Sequence, residues 1–229
     1  MKVSILSHSA SNSISVMSAC CLLDIESTLC PLASLDSLED NSWLIIPGVG
    51  NISSLSSAIE DIYGVRRLSR LISDRQLNVI GICLGLQFLC KRSAESSGSA
   101  TLGLLDLDVC SIHEKPTPNV GWYGLTEMSS SESFSPRADL RNDLCSAEYY
   151  YTHSYACKRS IALGDESIDP SAKTSAALNI YSYNDRHGNS VIGAVLADKI
   201  YGFQFHPEKS GKKGLSLLKN VLQGGVSNV

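Results

Sequence analysis

A chain of 229 residues with 43% hydrophobic content and a mean hydropathy of +0.03 can bury the core of one globular domain, expected over residues 1–229 with a frayed tail at 224–229. A formal net charge of −4 supplies no basic stripe for nucleic acid, and no apolar run reaches the roughly 18 residues needed to cross a bilayer, so a protein or small-molecule partner is favoured. The eight cysteines form no C-x-x-C pair and Met1–Leu6 turns polar too soon for a signal peptide, which reads as a reducing, cytoplasmic setting without structural zinc.

In chain order, Val3 to Leu6 reads as a first strand, and Ile14, Met17 and Cys21 then share one helical face. A second strand-like run, Trp43 to Ile46, enters the turn Pro47-Gly48-Val49-Gly50, after which Leu55, Ile59 and Ile62 again follow helical spacing. The apolar run Leu77 to Ile80 continues through Ile82 and leads into a helix expected over Leu84 to Cys90, with Cys90 as a core residue. The middle third is richer in strand signals, at Leu104 to Ile112, Tyr149 to Tyr155, Ile180 to Tyr183 and Val191 to Leu196. Exposed loops are expected at 129–136 and 164–174. Short apolar strands separated by helices predict an α/β fold with a mostly parallel sheet flanked by helices, whose reactive loops lie beyond the carboxyl ends of the strands.

Two segments carry chemistry. Gly81-Ile82-Cys83-Leu84-Gly85 has the form of a nucleophile elbow, a tight strand-to-helix turn flanked by small residues, with the thiol near a helix N-terminus that favours thiolate. Alone, it is read more readily as a packing cysteine than as a catalytic one. The second segment, Gln204-Phe205-His206-Pro207-Glu208, follows the strand-like run Lys199 to Phe203. His206 and Glu208 are two apart, so on an extended chain they leave the same face, and a carboxylate beside an imidazole fixes its tautomer and stabilises its charged form.

Together these segments resemble the class I glutamine amidotransferases, and within them the HisH-type glutaminase subunits. The resemblance covers nearly the whole chain: Pro47 to Gly50, the elbow Gly81 to Leu89, Gly121-Trp122, the run Tyr151 to Tyr155, Gly202 to Ser210 and the closing helix Gly214 to Leu222. It implies the family's flavodoxin-like fold, a Cys83-His206-Glu208 triad, and hydrolysis of glutamine to glutamate and ammonia through a cysteine thioester. It further implies an oxyanion site from the backbone of Val49, Gly50 and Leu84, and substrate contacts from Gln87, Glu95, Ser154 and Tyr155. No cofactor or metal is implied.

The implied partner is a HisF-type (β/α)₈ synthase that takes the ammonia through a channel to make imidazole glycerol phosphate in histidine biosynthesis. Asn12, Trp122, Tyr123 and Tyr151 are the candidates for the face that meets it. The chain departs from the HisH pattern near that face: Ser7 to Asn12 stands for D-Y-G-x-G-N, Pro118 to Tyr123 for P-H-M-G-W-N, and Asn51-Ile52 follows Gly50. Three alternatives stay open on the sequence: a paralogous amidotransferase of surface-polysaccharide sugar modification, a non-catalytic binding subunit, and an unrelated cysteine hydrolase of similar architecture.

Overall fold

The computed structural model describes residues 2–8, 11–96, 98–112, 118–129, 138–159 and 178–224. Most of the two expected loops, and the tail after Gly224, lie outside the described residues. The strands are β1 (Val3–Ser7), β2 (Ser27–Pro31), β3 (Trp43–Gly48), β4 (Asn78–Cys83), β5 (Cys90–Ser93), β6 (Leu105–Ser111) and β7 (Asn119–Gly124), followed by β8 (Thr126–Ser129), β9 (Glu148–His153), β10 (Tyr155–Arg159), β11 (Asn179–Asn184), β12 (Ser190–Ala197) and β13 (Ile200–Phe203). The helices are α1 (Ser13–Leu22), α2 (Ile52–Ile62), α3 (Val65–Asp74), α4 (Leu84–Leu89), α5 (Ala138–Cys145) and α6 (Gly211–Gly224).

Eight strands form the central sheet in the order β2-β1-β3-β4-β13-β12-β11-β8. The β2 to β13 half is parallel throughout and the remaining three strands are antiparallel, so the mainly parallel α/β architecture expected from the sequence is present. The parallel strands β3 and β4 are buried at every residue, as strands covered on both faces must be. One face packs α2, α3, α4 and the small sheet β10-β6-β5 around Leu55, Leu68, Leu86 and Leu107. The other packs α1, α5, α6 and the two-stranded ribbon β7-β9 around Val16, Leu144, Leu218 and Tyr151.

Register decides what meets at the carboxyl edge. Gly48, the last residue of β3, pairs with Cys83, the last of β4, and Phe203 at the end of β13 pairs with Ile82. Three segments separated by long stretches of chain therefore leave the sheet side by side.

Three expectations are corrected. Helix α1 turns Val16, Ala19 and Cys20 inward while Ile14 is 59% exposed and Cys21 is exposed, because apolar residues on all sides of this helix give its periodicity little contrast. Ile62, at the end of α2, is likewise exposed although Leu55 and Ile59 are buried. The helix after the elbow stops at Leu89: Cys90 turns extended and opens β5, where it remains fully buried, 3.3 Å from the sulfur of Cys157. No helix among the described residues is long and apolar enough to cross a membrane.

Candidate active site

Cys83 caps the N-terminus of α4 with φ 53° and ψ −107°, and it is one of four non-glycine residues with positive φ among the described residues. A side chain held there costs on the order of 1–3 kcal/mol, so the surroundings must enforce it. The flanking glycines do so by proximity and not by adopting unusual angles, since neither has a positive φ. A methyl group at position 85 would collide with the carbonyl oxygen of Ile46, and one at position 81 would lie 2.8 Å from the amide nitrogen of Leu86. Helix α4 is thus pressed onto β3, and the chain between β4 and α4 has room only for the sharp turn that lifts Cys83 to the edge.

The His-Pro-Glu segment is held from the other side. The amide of His206 donates to the carbonyl of Tyr150 on β9 (2.9 Å), while the hydroxyl of Ser210 donates to the carbonyl of His206 (2.7 Å) and accepts from the amide of Tyr150 (3.0 Å). The imidazole Nδ1 donates to Oε1 of Glu208 at 2.8 Å, with the two side chains 1% and 0% exposed. Their meeting does not come from an extended segment, as the two-residue spacing suggested; Pro207–Lys209 forms a 3₁₀ turn that folds the carboxylate back onto the ring. Asn12 donates through Nδ2 to the same Oε1 at 2.8 Å, so this carboxylate oxygen is gripped twice.

With Nδ1 committed to Glu208, Nε2 is the ring atom free to exchange a proton. No hydrogen-bond partner meets it among the described residues, yet Cys83 is near enough to act on its charge. Burial disfavours the imidazolium, but the hydrogen-bonding and charge effects of Cys83 and Glu208 together outweigh it, and the pKa of His206 is pushed up to about 9. A histidine that holds a proton this readily, set beside a cysteine, is suited to take up the thiol proton and to return it.

Cys83 and His206 open on a cleft of about 340 Å³ that is also lined by Val49, Gly50, Leu84, Gln87, Glu95, Ser154 and Tyr155. All of the residues expected to form the oxyanion site and to contact substrate are therefore brought to one cavity. Gly50 has φ +97°, a value that glycine adopts without penalty, and the imidazole of His8 meets the carbonyl of Pro47 at 3.3 Å just before it. Glu95 accepts from the amide of Ile52 at 2.8 Å, and partial burial raises its pKa. Gln87 donates through Nε2 to the carbonyl of Tyr155 (2.8 Å) and to Oε1 of Gln204 (3.1 Å), which leaves its own Oε1 to face a ligand.

The far wall contains a network that sequence reasoning missed. His153 Nδ1 meets the carbonyl of Tyr155 (2.9 Å), its Nε2 meets the hydroxyl of Tyr183 (2.7 Å), Asn119 donates to that hydroxyl (3.0 Å), and Tyr123 donates to Asn119 (2.9 Å). A carbonyl can only accept, so Nδ1 carries the proton and Nε2 accepts from Tyr183. The only sequence signal was the polar spacing of Asn119, His153 and Tyr183 within apolar strands.

Of the four candidates for a contact face, Trp122 is 51% exposed, beside Val120 at 50%. Tyr123 is half-buried with its hydroxyl turned inward, and Asn12 is engaged by Glu208. Tyr151 is fully buried against Tyr183 and Phe205 and presents nothing to a partner, because alternation on β9 sends it to the core.

Residues 6–223 match the family described as glutamine amidotransferase class-I. The chain belongs to that family. It is 33% identical over 225 residues to the imidazole glycerol phosphate synthase subunit HisH of Shigella flexneri, covering 97% of this chain and 100% of that protein. The HisH subunit of Thermococcus kodakarensis is 31% identical over 185 residues, 80% of this amidotransferase and 84% of the relative. Among solved structures, PurLQS from Thermotoga maritima superposes with a TM-score of 0.64 at 16% identity, covering 97% of this chain and 98% of that one, which speaks for the fold.

Proposed function

We propose that this amidotransferase, as one domain, is the glutaminase subunit of an imidazole glycerol phosphate synthase, with Cys83, His206 and Glu208 as its triad. The observation that carries the reading is the convergence of the strained Cys83 elbow and the His206–Glu208 pair on one cleft. The HisH relatives that match most of this chain support the choice of synthase.

In residue terms, the Cys83 thiolate attacks the side-chain carboxamide carbon of glutamine, forming the S–C bond as the carbonyl electrons move onto oxygen. Backbone N–H groups of Val49, Gly50 and Leu84 receive that oxyanion, each donor being worth about 3 kcal/mol. Collapse expels the nitrogen, which leaves as ammonia with the proton from His206. Water then gives a proton to His206 and attacks the thioester, releasing glutamate and restoring the thiolate. Glu208 keeps the imidazole in the productive tautomer, and Asn12 steadies Glu208. Gln87 and Glu95 offer acceptors suited to the α-ammonium, and Ser154 and Tyr155 hold the remainder of the substrate.

Ammonia released into water would be protonated and lost, so the product must pass to a docked consumer, here a HisF-type (β/α)₈ cyclase. The exposed Val120 and Trp122, on the ribbon whose other strand holds the backbone of His206, are the surface we assign to it. The test is glutamate release by the purified chain alone and with a HisF-type cyclase carrying its nucleotide ligand. Strong stimulation by the liganded cyclase is expected; activity indifferent to it would overturn the choice of partner and keep the glutaminase chemistry.

A further inference from the structure

We propose that Gln204 is a positioning residue for the sulfur of Cys83: its side-chain amide donates to the thiolate and fixes the direction from which it attacks. The inference rests on the reading of Cys83 as nucleophile and concerns a residue to which the mechanism above gives no part.

Gln204 lies one residue beyond β13 and is completely buried, with its backbone amide fixed to the carbonyl of Gly193 (2.9 Å). Its Nε2 is 3.6 Å from Cys83 Sγ, within the range of an N–H to sulfur hydrogen bond, and its Oε1 accepts from Gln87. The direction of this amide is determined by its neighbours. The carbonyl of Tyr155 can only accept, so the atom of Gln87 that faces it must be Nε2. That same nitrogen also meets Gln204, which must therefore present oxygen to Gln87 and nitrogen to the sulfur. A flipped Gln204 would set nitrogen against nitrogen and turn a carbonyl oxygen toward the thiolate.

Besides His206, a further polar group at the sulfur is the carbonyl of Thr152, at 4.0 Å. It can accept from a thiol and can only repel a thiolate. Gln204 is thus the partner suited to the reactive form, and Thr152 to the resting one. Burying a primary amide where an aliphatic side chain could pack is unfavourable unless its groups are paired, and the sulfur is one of the pairs. The tether from the backbone carbonyl of Tyr155 through the side chains of Gln87 and Gln204 also joins the cleft lining to the sulfur of Cys83.

The experiment follows alkylation of Cys83 by iodoacetamide in the full chain, mapped by mass to residue 83, from about pH 5 to about pH 9. A hydrogen bond to a charged group typically supports about a tenfold effect, so Gln204→Met should slow alkylation at neutral pH about tenfold and displace the profile upward by about one pH unit. Gln204→Glu, nearly the same shape but a carboxylate toward the sulfur, should displace it further. Superimposable profiles in folded variants would reduce Gln204 to packing and overturn the inference while Cys83 stands as nucleophile. Should Gln204→Met fail to fold, Gln204→Glu decides; failure of both to fold would make the residue structural and overturn the inference as well. Glutamine hydrolysis retained by Cys83→Ser would instead bring down the reading of the triad, and this inference with it.

Discussion

The two walls of the cleft are built by different means. The wall carrying Cys83 and the Pro47 to Gly50 loop is the edge of a parallel sheet, positioned by strand register and by glycines that admit no added methyl. The wall carrying His153 to Tyr155 is positioned by side-chain hydrogen bonds among Tyr123, Asn119, Tyr183 and His153. The first is a packing problem with one solution. The second holds only while every polar partner is present, since a buried donor or acceptor left alone costs about 1–3 kcal/mol.

This contrast can be broken most severely at Cys83, the proposed nucleophile. Cys83→Ser should abolish glutamine turnover, by roughly 10⁴-fold or more, with the thermal midpoint little changed, because serine fits the same backbone but is not activated like a thiolate. Next in size is Gly85→Ala, which drives a methyl into the carbonyl of Ile46; a loss of about 3 kcal/mol or more is expected in chemical denaturation, together with loss of activity. On the opposite wall Tyr183→Phe removes the hydroxyl that meets His153 Nε2 and Asn119 Nδ2, and should cost about 1–3 kcal/mol while raising KM for glutamine more than it lowers kcat. A fall in kcat with KM unchanged would refute the assignment of that network to the substrate wall.

The smallest effect is in the pH dependence of stability. The folded-state pKa of His206 is raised to about 9 from an ordinary value near 6.5. A raised pKa contributes stability that is fully present below the unfolded value and lost as pH climbs through the folded one, so denaturation midpoints should decline between about pH 6.5 and about pH 9. In Cys83→Ser the imidazolium loses one of its two supports, and this decline should shrink. A slope unchanged by the substitution would show that Cys83 does not help to hold the proton on His206.

The packed wall was legible in the sequence because its constraints are local. Proline and glycine at 47–50, glycines around Cys83, and the His206–Glu208 spacing are short-range demands of backbone and sterics, and Val49, Gly50, Cys83, Leu84 and His206 all line the cleft. On the opposite wall Ser154 and Tyr155 were expected, but the network that holds them was not legible, because Asn119, His153 and Tyr183 find one another across 30 to 64 residues. The same lack of local contrast misplaced Tyr151, an aromatic of β9 that alternation carries into the core, and reversed the inner face of α1. Asn12 illustrates both limits: its presence could be read directly, but its bond to Glu208 spans 196 positions.

The place of β13 in the sheet sets an order on synthesis. It is the last strand in the described chain, yet it lies between β4 and β12, and His206 follows it. While the chain is being made, Cys83 emerges long before His206, the base proposed for it, and the two meet only after β13 has been inserted at the centre of a sheet otherwise already translated. Such non-local closure is slow relative to helix formation. The thiol therefore spends the growth of the polypeptide apart from His206, and on the proposed triad the site would be completed only late in folding.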